Sequence, residues 1–480
     1  MSLMQMQSEN HNKSSLAAQK RPLAKPIDKQ IAAPIAKQIA KQIAKQITVG
    51  LAPMEGVTEL PTRLWFCLTS TPDFATTPFL RITRDYPYKR VPATFCPEMS
   101  VLRKLVPQTV APQLMASSAD DLCRLSEHFL KETPFVDINC GCPAPTVVGN
   151  GAGSALLLRA EIFRNYVNQL CARLGNQQVS IKMRTGFTDC SEFEDLLAVL
   201  LQMPPKRLTV HGRTRADRYL GSAKWHLIER AAAAFYNPPH SFLERNTALE
   251  KDTVLERGKG DFYSEKLKPA VEVVGSGDVT CAASLAARLE AAPHVQSIIV
   301  GRGALRNPWV FTELRTGQRA CLKLDTLKLS LACFVLLQEL CEHKLDCVFE
   351  LANEGLFLEA AGCEFDKWEL LYSKLSGAWF GQASRKASAF ELEVSRGSFC
   401  KLKMMWNSLR SALPPPFFGP EPLRASNLSQ FFLALDAAGM VHEAQTGFVC
   451  ATDFLTLGYD ACLDWVYSGA SKGEKRESGG

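Results

Sequence analysis

The sequence predicts an α/β fold, a (β/α)8 TIM barrel followed by a smaller C-terminal α-helical domain. Between residues 48 and 303, eight short apolar runs alternate with amphipathic stretches, the pattern of parallel strands and their covering helices. The first run leads into APMEGVTE and not into a G-x-G-x-x-G turn, which argues against a doubly wound open sheet. Beyond residue 310 helical patterns continue without a further strand pattern.

The strand-like runs are TVGLAPM (48–54), ATTPFLRI (75–82), APQLMAS (111–117) and FVDINCG (135–141), then QVSIKMR (178–184), RLTVHGR (207–213), AVEVVGSGD (270–278) and SIIVGRG (297–303). Amphipathic helices are expected at 120–132 and 190–203. Residues 236–268, with NPPHSF and ERGKGDF, break the alternation and read as a surface insertion. The barrel is therefore placed at 48–318 and the helical domain at 319–440, with helices at 322–344, 398–412 and 427–439. Residues 345–396 read as an expansion of that domain, and 441–480 as a tail.

Residues 1–47 form a basic extension containing KQIAKQIAKQI, a four-residue repeat that drifts around a helix. Residues 1–50 hold eight Lys or Arg and two Asp or Glu, so the whole net charge of +6 resides there and the remainder is neutral. A nucleic-acid partner would then need locally clustered cations. Disorder is expected in the arm, which has a single arginine and fits an organelle targeting segment poorly. No apolar run spans a membrane. The 16 cysteines include no C-x-x-C pair, which argues for a reducing compartment and against a metal site. A cytoplasmic monomer is the expectation.

In such a barrel, chemistry belongs at the carboxyl ends of the strands. Met54 and Glu55 follow the first, Gln113 lies on the third, and Asn139 and Cys142 follow the fourth. Lys182 and Arg184 end the fifth, His211 the sixth, Ser276-Gly277-Asp278 the seventh and Gly301-Arg302-Gly303 the eighth. Singly, each has an ordinary explanation, such as a buried inert thiol, a snorkelling lysine or a tight turn. Together they suit a reduced flavin mononucleotide. Gly301 and Arg302 offer N–H groups and a cation to a phosphate. Lys182 suits an anionic ring edge, Gln113 a polar one, and Cys142, protonated near neutral pH, can act as a general acid.

APMEGV (52–57), INCGCP (138–143), GAGSALL (151–157), IKMRTG (181–186), TVHGRT (209–214) and VGRGAL (300–305) resemble the tRNA-dihydrouridine synthases. The N-C-G-C-P form and the C-P-E at 96–98 are most similar to the bacterial C-type branch. The resemblance implies FMN as cofactor, NADPH as reductant and tRNA as partner, with reduction of the uracil C5–C6 bond in a D-loop uridine. It implies that Cys142 protonates C5 while flavin N5 delivers hydride to C6, and that Asn139 holds the uracil. Pro53, Met54, Glu55, Gln113, Lys182, His211, Ser276, Gly277, Asp278, Gly301 and Arg302 would line the flavin site, Lys182 and His211 also serving catalysis. Arg184 would lie beside the substrate. Arg81 would favour uridine 16, and Lys401, Lys403 and Arg410 would form a basic helix on tRNA. Three positions depart from the pattern: Ser276 replaces an asparagine, Pro145 a lysine and Pro78 an acid.

Two other readings compete. One is an FMN barrel of dihydroorotate dehydrogenase type acting on a small molecule, which needs no basic helix. The other is a flavin-free tRNA-binding protein on the same fold.

Overall fold

The computed structural model describes residues 47–87, 91, 93–236, 271–317, 324–380, 393–413 and 420–446. The arm, the segment read as the first insertion and all but the first few residues of the tail lie outside this set. Among the described residues no helix is long and apolar enough to cross a membrane.

The eight runs form eight parallel strands closed into a barrel in sequence order. They are β1 Thr48–Leu51, β2 Phe74–Arg81, β3 Thr109–Met115, β4 Val136–Cys140, β5 Val179–Arg184, β6 Arg207–His211, β7 Glu272–Ser276 and β8 Ser297–Val300. The first and last strands pair, Leu51 facing Val300, so no sheet edge remains. Alternation decides each side chain's fate. In β4, Val136, Ile138 and Cys140 join the apolar layer between barrel and helices. The intervening Asp137 and Asn139 therefore turn inward.

The layer outside the barrel holds α1 Leu60–Thr69, α2 Ala119–Phe129, α3 Ala160–Leu174, α4 Phe193–Gln202, α5 Trp225–Tyr236, α6 Ala282–Ala291 and the short α7 Arg302–Arg306. Ser118 starts α2, its hydroxyl accepting the Asp121 N–H. Gly275 of β7 lets the Trp225 ring approach; a Cβ there would stand 2.7 Å from the ring.

After α8 Val310–Thr316 come α9 Leu324–His343, α10 Leu345–Asn353, α11 Phe365–Phe380, α12 Arg396–Leu409 and α13 Leu428–Thr446. The stretch 345–396, expected to be an expansion, thus carries α10 and α11. Trp368 and Leu375 of α11 lie wholly buried in the same apolar cluster as α9 and α12. That cluster also takes in Leu60, Leu64, Trp65 and Leu68 of α1. Trp65 Nε1 donates to the Ser330 carbonyl at 2.9 Å, and Leu68 O accepts the Ala361 N–H at 2.8 Å. The helical unit therefore docks on the barrel through α1.

One ion pair braces α1. Arg63 Nε donates to Glu98 Oε1 at 2.6 Å and Nη2 to Oε2 at 2.9 Å, with both side chains buried. The same guanidinium donates to the carbonyls of Thr58 and Phe95.

Candidate active site

A cavity of about 1080 Å³ opens at the carboxyl ends of the strands. Its size is that of a cofactor-and-ligand site. The strand registers stack its polar groups. Asn139 lies opposite Lys182, while Arg184 faces His211 and His211 faces Ser276 one layer nearer the mouth.

Of the residues expected at the site, Pro53, Met54, Glu55, Asn139, Cys142, Lys182, Arg184, His211, Ser276, Gly277, Asp278, Gly301 and Arg302 line this cavity. The loop after β1 is held locally, Met54 N–H donating to Thr58 Oγ1 at 2.8 Å. Gly56, at φ +71°, turns it.

Cys142 sits on a pinned loop. Its N–H and that of Gly141 donate to Asn139 Oδ1 at 2.9 and 3.0 Å. Its carbonyl accepts from Ser154 Oγ at 2.8 Å and Ser154 N at 3.1 Å. That is the use of GAGSALL. Gly153, at φ +59°, could not carry a side chain, since a Cβ would meet Val147 at 2.8 Å. Burial pushes the Cys142 thiol above its ordinary value, with Glu55 adding to this; the Ala144 N–H, Lys182 and Arg184 oppose it only in part. The sulfur is a neutral thiol at pH 7, with a proton to give. Cys140 is fully buried on the outer face, where burial pushes its thiol up further.

Burial and the Arg184 guanidinium lower the Lys182 ammonium to about 8, against the pull of Asp137 and Cys142. Lys182 therefore remains mainly charged at neutral pH. His211 is driven well below its ordinary value by burial first, then by Arg184, Lys182, Arg213 and Arg302. Arg213 Nη1 lies 3.3 Å from His211 Nε2. Arginine has only donors, so Nε2 accepts and the ring proton is assigned to Nδ1. Because the folded chain keeps His211 neutral and the unfolded chain titrates near ~6.5, stability falls as pH drops below that value. His211→Gln should flatten this part of the stability–pH curve, read as unfolding midpoints at about pH 7 and about pH 5.5. An equally steep curve in the variant would acquit His211.

Gln113 stands behind the cavity wall. It is fully buried and does not line the cavity. Its Nε2 donates to Asp137 Oδ2 at 2.6 Å, and its Oε1 accepts from Asn139 Nδ2 at 2.8 Å. Both polar ends are taken up behind Asn139. Asp278 lines the cavity, but its carboxylate accepts from Arg213 Nη2 at 2.7 Å and from the Ala223 N–H at 2.6 Å. Burial would raise it, yet these bonds outweigh burial and leave it below the usual carboxylate value.

The basic residues expected on tRNA have partners within the chain. Lys401 Nζ donates to Glu59 Oε2 at 2.6 Å and to the Gly56 carbonyl, and Lys403 Nζ donates to the Ala425 carbonyl at 2.6 Å. Both ammonium groups strap α12 to its surroundings. Arg410 bonds Asn407 on its own helix. Arg81 ends β2 half-buried and is not a cavity residue. The proline at 78 leaves a mark: the β2–β3 register slips between Thr76 and Phe79, and Thr77 Oγ1 accepts the Gln113 N–H at 2.9 Å. Phe79 follows the bulge into the cavity wall. Pro145 also lines that wall.

Several cavity residues had no expected role: Arg213, Tyr219, Thr280, Arg288 and Arg306. Arg184 and Arg213 work as clamps. Arg184 donates to the carbonyls of Gly141, Thr214 and Arg218, each at 2.8 Å. Arg213 donates to those of Leu220 and Gly221. Together they hold the loop 214–221, which presents Tyr219 at the mouth. The Arg184 and Arg302 guanidinium carbons lie 5.5 and 5.0 Å from its ring centre. After β7 and β8 the backbone is bare. A Cβ on Gly303 would stand 2.3 Å from the Val279 carbonyl, and one on Gly277 2.6 Å from Ala223 Cβ. These loops and Arg302 could hold a phosphate.

A closed parallel barrel carries a protonated thiol, a charged lysine and glycine loops at one mouth, the end of such a barrel where its chemistry belongs. Residues 50–236 match the family model described as Dihydrouridine synthase (Dus). That segment is similar to the dihydrouridine synthase family. Similar curated proteins include one from Malassezia globosa, 33% identical over 205 residues, covering 42% of this chain and 24% of that protein. Another, from Yarrowia lipolytica, is 32% identical over 184 residues, covering 38% and 27%. Both are named tRNA-dihydrouridine(47) synthase, with NAD(P)(+) in the name. The chain spans about a quarter of the length of these relatives. They are fungal proteins, and they lend no support to the bacterial C-type branch. Among solved structures, morphinone reductase is 11% identical over 56% of this chain and 86% of that one, with a TM-score of 0.35. A likeness of that degree carries no argument.

Proposed function

We propose that this chain is an FMN-dependent tRNA-dihydrouridine synthase that reduces the C5–C6 bond of a uracil in tRNA with NADPH as reductant. The observation that carries the reading is the Cys142 thiol, held neutral on a pinned loop in the same cavity as Asn139 and Lys182. The cavity fits FMN. Gly277 and Gly303 let the two loops pack closer than a Cβ would allow, Arg302 supplies a cation, and Ala52, Pro53, Met54 and Ile299 give an apolar wall. When bound, the flavin supplies the reducing electron pair.

The chain's own residues do the rest. Asn139 orients the uracil, and Cys142 Sγ gives a proton to the ring carbon and regains one through the open mouth. The Lys182 ammonium offsets negative charge in the site. Gln113 acts through Asn139 and not on the ring. The names of the relatives support uridine 47 over uridine 16 as the target, since Arg81 stands outside the cavity.

Purified chain should retain FMN and, with NADPH, form dihydrouridine in unmodified tRNA. NADPH oxidation that proceeds without dihydrouridine would favour a small-molecule oxidoreductase. A colourless protein that still binds tRNA would favour the flavin-free reading. Gly303→Ala should weaken FMN binding by roughly tenfold or more, because the methyl would strike the Val279 carbonyl. Fluorescence titration of the folded variant checks this, and unaltered affinity would remove these loops from the phosphate site.

A further inference from the structure

We propose that Asp137 is a positioning residue that fixes the direction of two buried amides, so that Asn139 has only a hydrogen-bond donor left for a ligand and selects a ring carbonyl over a ring amine. This rests on the reading above and names the group by which its substrate would be recognised.

Asp137 and Asn139 share the inward face of β4, and Gln113 pairs with Asp137 across the ladder. Burial pushes the Asp137 carboxyl up, opposed by the Ser180 and Gln113 bonds, Lys182 and Arg207, and both of its oxygens accept here. Its Oδ1 accepts from Ser180 Oγ at 2.6 Å and its Oδ2 from Gln113 Nε2 at 2.6 Å. With its NH2 end committed, Gln113 turns Oε1 towards Asn139 and accepts from Nδ2 at 2.8 Å. That fixes Asn139 in turn, its Oδ1 accepting two backbone N–H groups, those of Gly141 and Cys142.

The valences can be counted. Both Oδ1 lone pairs are used and one of the two Nδ2 hydrogens is used, leaving one N–H. Amide direction is often ambiguous, but here the chain of bonds ends on a carboxyl group whose two oxygens both accept. Gln113, Asp137 and Asn139 are 0%, 3% and 7% exposed, so water could not repair a reversed amide. A remaining N–H that meets the 4-position pairs with the O4 carbonyl of uracil and opposes the amine that stands there on cytosine.

The FMN-loaded full chain would be titrated with uridine 5′-monophosphate and cytidine 5′-monophosphate, following the flavin absorbance. The uridine nucleotide should bind at least roughly tenfold tighter. Asp137→Asn replaces a carboxyl that accepts at both oxygens with an amide able to face either way, and should bring the two affinities within about threefold. Ser180→Ala leaves the carboxylate in place and should keep the preference. Equal affinities in the unaltered chain, no binding of either nucleotide, or an undiminished preference in Asp137→Asn would each overturn the proposal. Should Asp137→Asn fail to fold, loss of the preference in Ser180→Ala overturns it and retention supports it. Dihydrouridine formation in whole tRNA judges the functional reading separately.

Discussion

Cys142→Ala is expected to slow uridine reduction by about 10²–10⁴-fold while FMN stays bound, the range that a positioned general acid supplies. The sulfur is one partly buried member of a small cluster with Phe79, Ala144, Met115, Val147 and Ala152, so its loss should cost little stability. The bonds that hold the loop run through backbone atoms of residue 142, and alanine keeps them. Binding and chemistry should therefore separate. Single turnover with the flavin already reduced isolates the proton-transfer step from the NADPH reaction. A rate within a few-fold of the unaltered chain would mean that another group delivers the proton.

Arg63→Met should be the most damaging single change to stability, about 3–5 kcal/mol, because it strands Glu98 as a buried unpaired charge. It also leaves the Thr58 and Phe95 carbonyls without their donor. The double variant Arg63→Met with Glu98→Leu removes the stranded charge and should recover much of the loss, since a buried ion pair gains little over an apolar pair. Urea unfolding midpoints of the two variants measure this. If the double variant were no better than the single one, the cost would lie in the carbonyls or in packing and not in the charge.

The barrel was legible because strand and helix periods differ and each run was long enough to show one of them. The residues at strand ends were legible for the same reason, since strand register places them at one mouth. The bonds of Gln113 were not legible, because sequence gives its strand but not its partners, and Asp137, which engages it, looked like an ordinary strand residue. Arg213 stood beside His211 in the motif, yet nothing local showed that it would clamp Leu220 and Gly221. Arg288 and Arg306 come from helices after β7 and β8, where a search of strand ends does not look. Lys401 looked like a free surface cation because Glu59, its partner, lies 342 residues away. Helical segments 345–353 and 365–380 were obscured by mixed composition, and only the apolar cluster around Trp368 reveals them as structural.

The loop 214–221 is hydrogen-bonded through its carbonyl oxygens and through the side chains of Thr214 and Asp217, while Tyr219 adds only ring contacts. Its course is thus decoupled from the residues it displays at 219 and 220. Exchanges at 219 and 220 could alter what the mouth meets without moving the backbone, whereas inserting or deleting one residue would misalign every clamped carbonyl. Across descendants of such a chain, variation here should run in residue identity and not in length. That would let one scaffold explore new recognition while its chemistry stays fixed.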